Sequence, residues 1–160
     1  MIPSFNIKRT TPTDLDLGHL VLLLDSELRA SNGDVQDLLD QYNIVREDFK
    51  VVVGYLGGEP VACGCFKDFE PGVVEIKRMF VHKDHRRTGF AAAILNALEC
   101  WAAELGYDHA VLETGTRLTG AVNLYKKAGY KVRSQYGQYI DMENSVCMEK
   151  PLVAKEAVAE

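Results

Sequence analysis

Apolar residues recur at helical spacing near the start of the chain, where Leu17, Val21, Leu24 and Leu28 mark one face before Asn32-Gly33 ends the run. Thr11-Pro12-Thr13-Asp14 supplies the start of that helix, with Thr11 as N-cap, proline in the first turn and a carboxylate three residues on. A second short helix is expected over Asp34 to Tyr42, turning Val35, Leu38 and Leu39 inward. At Phe49 the period changes. Lys50 to Leu56 and Pro60 to Phe69 are rich in strand-forming residues and meet at Gly57-Gly58, a hairpin turn. Phe69-Glu70-Pro71-Gly72 marks a second turn, and Val73 to Val81 completes a three-stranded meander. Gly89 opens a long helix on which Ile94, Leu98, Trp101 and Leu105 form an apolar stripe, with Asn96 and Glu99 off it and Gly106 as its stop. Beyond it the pattern predicts a strand from His109 to Glu113 and a helix from Thr119 to Lys127 stopped by Gly129. Strands from Tyr130 to Arg133 and from Ser145 to Glu149 follow. The order reads as one α/β domain over 1–152, with a flexible tail over 153–160.

Composition narrows the classes. The 160 residues fit one domain, and 47% apolar content suffices for one core. A net charge of −5 gives no general attraction to nucleic acid or to an anionic membrane. Met1-Ile2-Pro3-Ser4 places no basic segment before an apolar run, and no apolar stretch nears the ~20 residues of a membrane span. Cys63, Cys65, Cys100 and Cys147 are scattered, so reduced core thiols in a cytoplasmic protein are expected. Cys63 and Cys65 alternate along one strand and share a face, which favours packing. His82 and His85 lack partners at ligand spacing, so no metal is expected there.

The chemistry concentrates between His82 and Ala92. This segment joins a strand to a helix N-terminus, and its small residues Gly89, Ala91, Ala92 and Ala93 let backbone approach another molecule closely. Unpaired amides and the helix dipole favour an anion there, and Arg86 and Arg87 add two cations. The bland alternative is a tight turn with solvated arginines. A Walker loop would end in Gly-Lys-Ser/Thr and a dinucleotide fingerprint would carry three spaced glycines; neither is present.

Arg86, Gly89 and Ala91 match in order the acyl-CoA motif of the GNAT superfamily, which reads Arg or Gln, two residues, Gly, one residue, then Gly or Ala. Upstream, Glu75-Ile76-Lys77-Arg78-Met79-Phe80-Val81 is similar to the family's fourth strand. Downstream, Ala121-Val122-Asn123-Leu124-Tyr125-Lys126-Lys127-Ala128-Gly129-Tyr130 resembles its second helix-to-strand signature. The resemblance covers about residues 73–150. It implies a mixed sheet of six to seven strands flanked by helices, splayed between the fourth and fifth strands. It also implies N-acetyl transfer from acetyl-CoA, as cosubstrate and without a metal, to a primary amine of a small molecule or peptide. Homodimers are common in the family.

Carried over by position, backbone of Met79 and Val81, with Phe80 between them, would pair with the pantetheine arm. Amides of Arg87, Thr88, Gly89, Phe90, Ala91 and Ala92 would hold the pyrophosphate. Tyr125 stands at the general-acid position, where its phenol would protonate the departing thiolate; otherwise it is a core aromatic. An amine attacks only when neutral, so a base or a water relay must take its proton. Glu75 at the start of the fourth strand and Glu113 at the end of the fifth are the candidates, each with the alternative of an exposed strand carboxylate. One departure stands out: many members carry Asn seven residues before the tyrosine, and here that residue is Leu118, with Thr114 or Thr116 as possible substitutes. Tyr136 and Tyr139 flank Gly137 in a segment that either covers the acceptor or is surface loop. Two other functions compete, a catalytically silent acyl-CoA sensor and a nucleotide-binding protein using the same anion site.

Overall fold

The computed structural model describes residues 4–33, 44–116 and 118–153, save the side chains of Asn32 and Thr119. The helix expected over Asp34 to Tyr42 lies outside the described residues, as does the tail beyond Val153. The strands are β1 (Phe5–Thr10), β2 (Lys50–Leu56), β3 (Glu59–Glu70), β4 (Val73–Val81), β5 (His109–Gly115), β6 (Lys131–Arg133) and β7 (Ser145–Pro151). The α-helices among the described residues are α1 (Leu15–Asn32), α2 (Phe90–Glu104) and α3 (Thr119–Lys127). The strands form one mixed sheet in the order β1-β2-β3-β4-β5-β7-β6. The expected parting of the fourth and fifth strands takes the form of a short parallel ladder, Val73↔His109 to Glu75↔Val111. By contrast, β5 pairs antiparallel with β7 from His109↔Pro151 to Gly115↔Ser145. The chain gathers into two compact units, Met1–Lys67 with Lys77–Leu98 and Asp68–Ile76 with Glu99–Glu160.

In the first unit, Asp14 and not Thr11 caps α1. Its carboxylate accepts the amides of Asp16 at 2.8 Å and Leu17 at 3.2 Å. Thr11 instead opens the turn before it, its carbonyl taking the Asp14 amide at 3.0 Å. The Thr10 hydroxyl and the Lys8 ammonium hold the same carboxylate, which fixes the helix start at a tertiary junction. β1 delivers those two residues. Strand propensity did not single β1 out, because this edge strand buries no residue fully, and of its apolar residues only Phe5 and Ile7 partway. Gly57 and Gly58 both take positive φ, 58° and 87°, as a two-residue hairpin turn demands.

α1 packs Leu17, Leu20 and Leu24 on Val51, Val53, Cys63, Cys65 and Phe80. On the alternate face, β-carbons at Gly54 and Gly64 would strike Phe5 and Ile94, or Leu98, Ile94 and the Met79 sulfur, at 3.1 Å or less. Both glycines therefore make room for α2. None of the four cysteines is in a disulfide; Cys63, Cys65 and Cys147 are buried and Cys100 half-buried.

The stripe of α2 differs from the expected one. Ile94, Leu95, Leu98 and Ala102 are its buried residues, Trp101 is half-buried, and Leu105 lies beyond the helix and is 50% exposed. Leu105 drops out because the helix stops there: Gly106 turns left-handed, its amide bonds Ala103, and the Tyr107 amide bonds Ala102. In the second unit Glu99 is half-buried, where the pattern had set it off the stripe. It accepts the Tyr130 hydroxyl at 2.9 Å and the Lys150 ammonium at 2.7 Å. α3 ends as α2 does, with Gly129 at φ 100°, its amide on Lys126 and the Tyr130 amide on Tyr125.

Candidate active site

β4 does not run as a regular strand. Arg78 sits at φ 58° in the middle of it, a conformation costly for a side-chain-bearing residue. The Arg78 carbonyl accepts the Cys63 thiol at 3.5 Å, and its buried guanidinium pairs with Asp25 of α1 while Nε has no partner. Beyond this residue Phe80 enters the core under α1. Burial pushes the Cys63 thiol up to about 12 although Arg78 opposes it, so this is a packing residue and not a nucleophile.

The loop after β4 is tied down from several sides. The His82 amide donates to the Val61 carbonyl at 2.8 Å, and His82 Nδ1 accepts the Asp84 amide at 3.2 Å. His82 thus caps the single 3-10 turn Lys83–His85, on whose last carbonyl the Thr88 hydroxyl closes at 2.6 Å. Arg86 serves the loop's architecture: Nε donates to the Val81 carbonyl at 2.9 Å and the guanidinium to Glu27 at 2.6 Å. It also lies 5.7 Å over the Phe80 ring. Arg87 and Gly89 are left-handed, at φ 62° and 85°. Phe90, the first residue of α2, stacks on Phe5 with ring centroids 4.0 Å apart. Among the described residues, the amides from Arg87 to Ala92 make no hydrogen bond, and the first helical one joins the Ala93 amide to the Gly89 carbonyl. A row of outward amides at the start of a fifteen-residue helix is suited to an anion.

The second unit holds the candidate acid and bases. Glu75 pairs with Val111 across the β4–β5 ladder, and Glu113 lies two residues along β5, so both carboxylates share a face. Glu75 is not the exposed carboxylate of the bland reading; it is 3% exposed and accepts the Tyr136 hydroxyl at 2.7 Å. Glu113 is half-buried and accepts the Ser145 hydroxyl at 2.7 Å. Tyr125 is buried, and burial followed by the negative charge of Glu113 holds its phenol above the ordinary range. It is therefore protonated at neutral pH. Tyr139 is driven the same way by burial, then by Glu75 and Glu113. Tyr136 and Tyr139 are both buried and meet edge to face at 5.6 Å, which removes the surface-loop reading.

Leu118 occupies the N-cap of α3, where no side chain accepts a hydrogen bond. Thr116 is turned to Asn144 at 3.4 Å and Thr114 is buried. Among the described residues no group of three or more His, Cys, Asp or Glu is placed to hold a metal ion, and no helix is long and apolar enough to cross a membrane.

The family model of the acetyltransferase (GNAT) family matches residues 20–130, from within α1 to Tyr130, and so takes in both the loop and the tyrosine helix. The chain belongs to the GNAT acetyltransferase family. Its GNAT relatives include an Azospirillum brasilense protein named IAA acetyltransferase, 32% identical over 157 residues, covering 94% of this chain and all of that one. A Klebsiella pneumoniae structure assigned to the acyl-CoA N-acyltransferases is 30% identical with a TM-score of 0.77, covering 93% of this chain and 98% of that one. A Bacillus subtilis acetyltransferase solved with CoA has a TM-score of 0.70 at 20% identity, covers 94% of this chain and all of that one, and so shares the fold. Sequence reasoning names the loop, Glu75, Glu113 and Tyr125 as candidates. It left Tyr136 open and gave no sign of the Arg86–Glu27 tie.

Proposed function

We propose that this GNAT protein is an N-acetyltransferase that moves the acetyl group of acetyl-CoA to a primary amine of a small molecule or peptide by direct attack. The observation that carries this is the carboxylate–phenol set: buried Glu75, and half-buried Glu113 beside the buried, protonated Tyr125. A module that only binds acyl-CoA has no use for such a set. The amides of Arg87, Thr88, Gly89, Phe90, Ala91 and Ala92 hold the pyrophosphate, and backbone of Met79 and Val81 pairs with the pantetheine arm. A backbone amide of β4 donates to the thioester oxygen, an interaction worth roughly 3–4 kcal/mol as negative charge builds there.

Glu75 accepts the proton of the ammonium group, leaving a neutral nitrogen whose lone pair forms the new C–N bond. As the C–S bond breaks, the electron pair stays on sulfur and the Tyr125 hydroxyl protonates it. Glu113 keeps Tyr125 protonated until that moment. The nitrogen, cationic once the C–N bond has formed, gives its second proton to solvent, which also restores the phenol and clears Glu75. An ammonium and acetyl-CoA thus yield an amide, the CoA thiol and one released proton.

The test is thiol release from acetyl-CoA over a panel of spermidine, kanamycin, tryptamine, free amino acids and short peptides. One amine class is expected to release thiol in step with its acetylated product. Binding of acetyl-CoA without turnover on any amine would make the chain a cofactor-binding module instead.

A further inference from the structure

The segment between β6 and β7 is built to deliver one hydroxyl. Gln135 clamps it from inside: its amide nitrogen donates to the Met142 and Ser145 carbonyls, both at 2.9 Å, and its oxygen accepts the Asp141 amide at 2.9 Å. Backbone bonds from the Tyr139 amide to Tyr136 and from the Met142 amide to Tyr139 add two further ties. Asp141 and Asn144 take left-handed backbone to close the loop, at φ 62° and 60°. Three groups then frame the Tyr136 ring: Phe69 edge-on at 4.8 Å, Tyr139 at 5.6 Å, and the Arg133 guanidinium 5.2 Å over its face. The framed ring brings its hydroxyl to Glu75 Oε2, 2.7 Å away and 61 residues distant in sequence, as donor.

We propose that Tyr136 is a positioning residue for the base: its hydroxyl fixes the Glu75 carboxylate in the orientation that receives the amine's proton. This rests on the reading of Glu75 as the base and deepens it, by giving Glu75 a rigid aromatic brace. A glutamate has three side-chain torsions, and leaving them loose in the ground state wastes encounters with the amine. A phenol hydrogen-bonded to a carboxylate is a strong, short contact, and a buried one is stronger still. Burial, then the charge of Glu75, holds the Tyr136 phenol far above its ordinary range, so it remains a donor and does not compete for the proton. Tyr139 and Cys147 add to that push, and the Arg133 guanidinium lies over the ring face. Glu113 accepts the Ser145 hydroxyl from β7.

The experiment is a double-mutant cycle on the full chain, using the amine that turns over fastest in the panel above. Tyr136→Phe keeps the ring and removes the hydroxyl. It should lower kcat by about tenfold while the KM for acetyl-CoA stays within about twofold, since positioning acts on the transition state. In a Glu75→Gln background the same change should cost less than about twofold, because the group being positioned is gone. Equal losses in both backgrounds would overturn the proposal. A slow Glu75→Gln beside a fully active Tyr136→Phe would also overturn it while leaving Glu75 as the base. Full activity in Glu75→Gln would defeat the base assignment itself, and Tyr136 with it. Should Tyr136→Phe not fold, 3,5-difluorotyrosine at position 136 keeps ring and donor in place but makes the hydroxyl more acidic. A stronger donor weakens the base, so kcat should fall at least about twofold, and an unchanged kcat overturns the proposal.

Discussion

The ring of Tyr125 meets Tyr130 edge to face at 5.8 Å across the helix stop made by Gly129, and Tyr130 is itself anchored by its hydroxyl on Glu99. The two tyrosines occupy the positions whose contact accompanies this kind of helix end. Part of the Tyr-x-x-x-Gly-aromatic pattern is therefore explained by folding alone, and only the hydroxyl of Tyr125 is left for chemistry. Tyr125→Phe separates the two. Packing and fold should survive, with a melting temperature close to that of the parent. A general acid commonly contributes ~10²–10⁴ in rate, but a thiolate leaves readily and a phenol held above its ordinary range gives up its proton reluctantly. The expected loss in kcat is about tenfold, with CoA affinity unchanged because the proton is needed only as sulfur departs. Full activity in the variant would assign protonation to water. A folded variant that cannot bind CoA would make Tyr125 a cofactor contact.

α3 starts without a side-chain cap because Leu118 stands at its N-cap. A leucine there leaves first-turn amides without an acceptor that Asn would provide, so Leu118→Asn should stabilise the protein by about 1 kcal/mol. Chemical denaturation checks this, and a midpoint that falls would show that Leu118 is held by packing that asparagine cannot replace. Elements bounded by local signals were legible from sequence. β2, β4 and α3 have the predicted limits, since glycine turns and the change of period lie inside the segments themselves. The Arg-x-x-Gly loop was legible for the same reason. What escaped depends on partners far along the chain. β1 has two inward apolar residues and acquires its identity by pairing with β2 from Phe5↔Leu56 to Thr10↔Val51. The cap of α1 moves from Thr11 to Asp14 because Thr10 and Lys8 of β1 converge on that carboxylate. Within the site, the residue types of Glu75 and Tyr136 are readable, but their contact across 61 residues is not.

The molecule as a whole carries a charge of −5, yet the proposed cosubstrate is a polyanion. Long-range attraction cannot bring the two together, and beyond about 8 Å it is screened at physiological salt in any case. Affinity must come from short-range contacts, which on the proposed reading are the amides of Arg87 to Ala92 and the exposed Arg87; Arg86 is already paired with Glu27. Such binding appears as stability of the entire chain. At CoA one hundred times its Kd, linkage adds about 2.7 kcal/mol. For a chain of this size each kcal/mol moves the melting temperature by roughly 2–4 °C, so a shift of about 5–10 °C is expected. ATP, which offers phosphates without a pantetheine arm for β4, should move it by less than about 2 °C at the same concentration. Gly89→Val should abolish the CoA shift. Nothing lies within 4 Å of a β-carbon built at Gly89, so the damage comes from its backbone, which at φ 85° disfavours any side chain and most of all a branched one. The loop must then leave the conformation that aligns its amides. Differential scanning fluorimetry of both proteins with CoA and with ATP decides the matter. Equal shifts with the two ligands would make the loop a general anion site, and a full CoA shift in a folded Gly89→Val variant would remove the pyrophosphate from this loop.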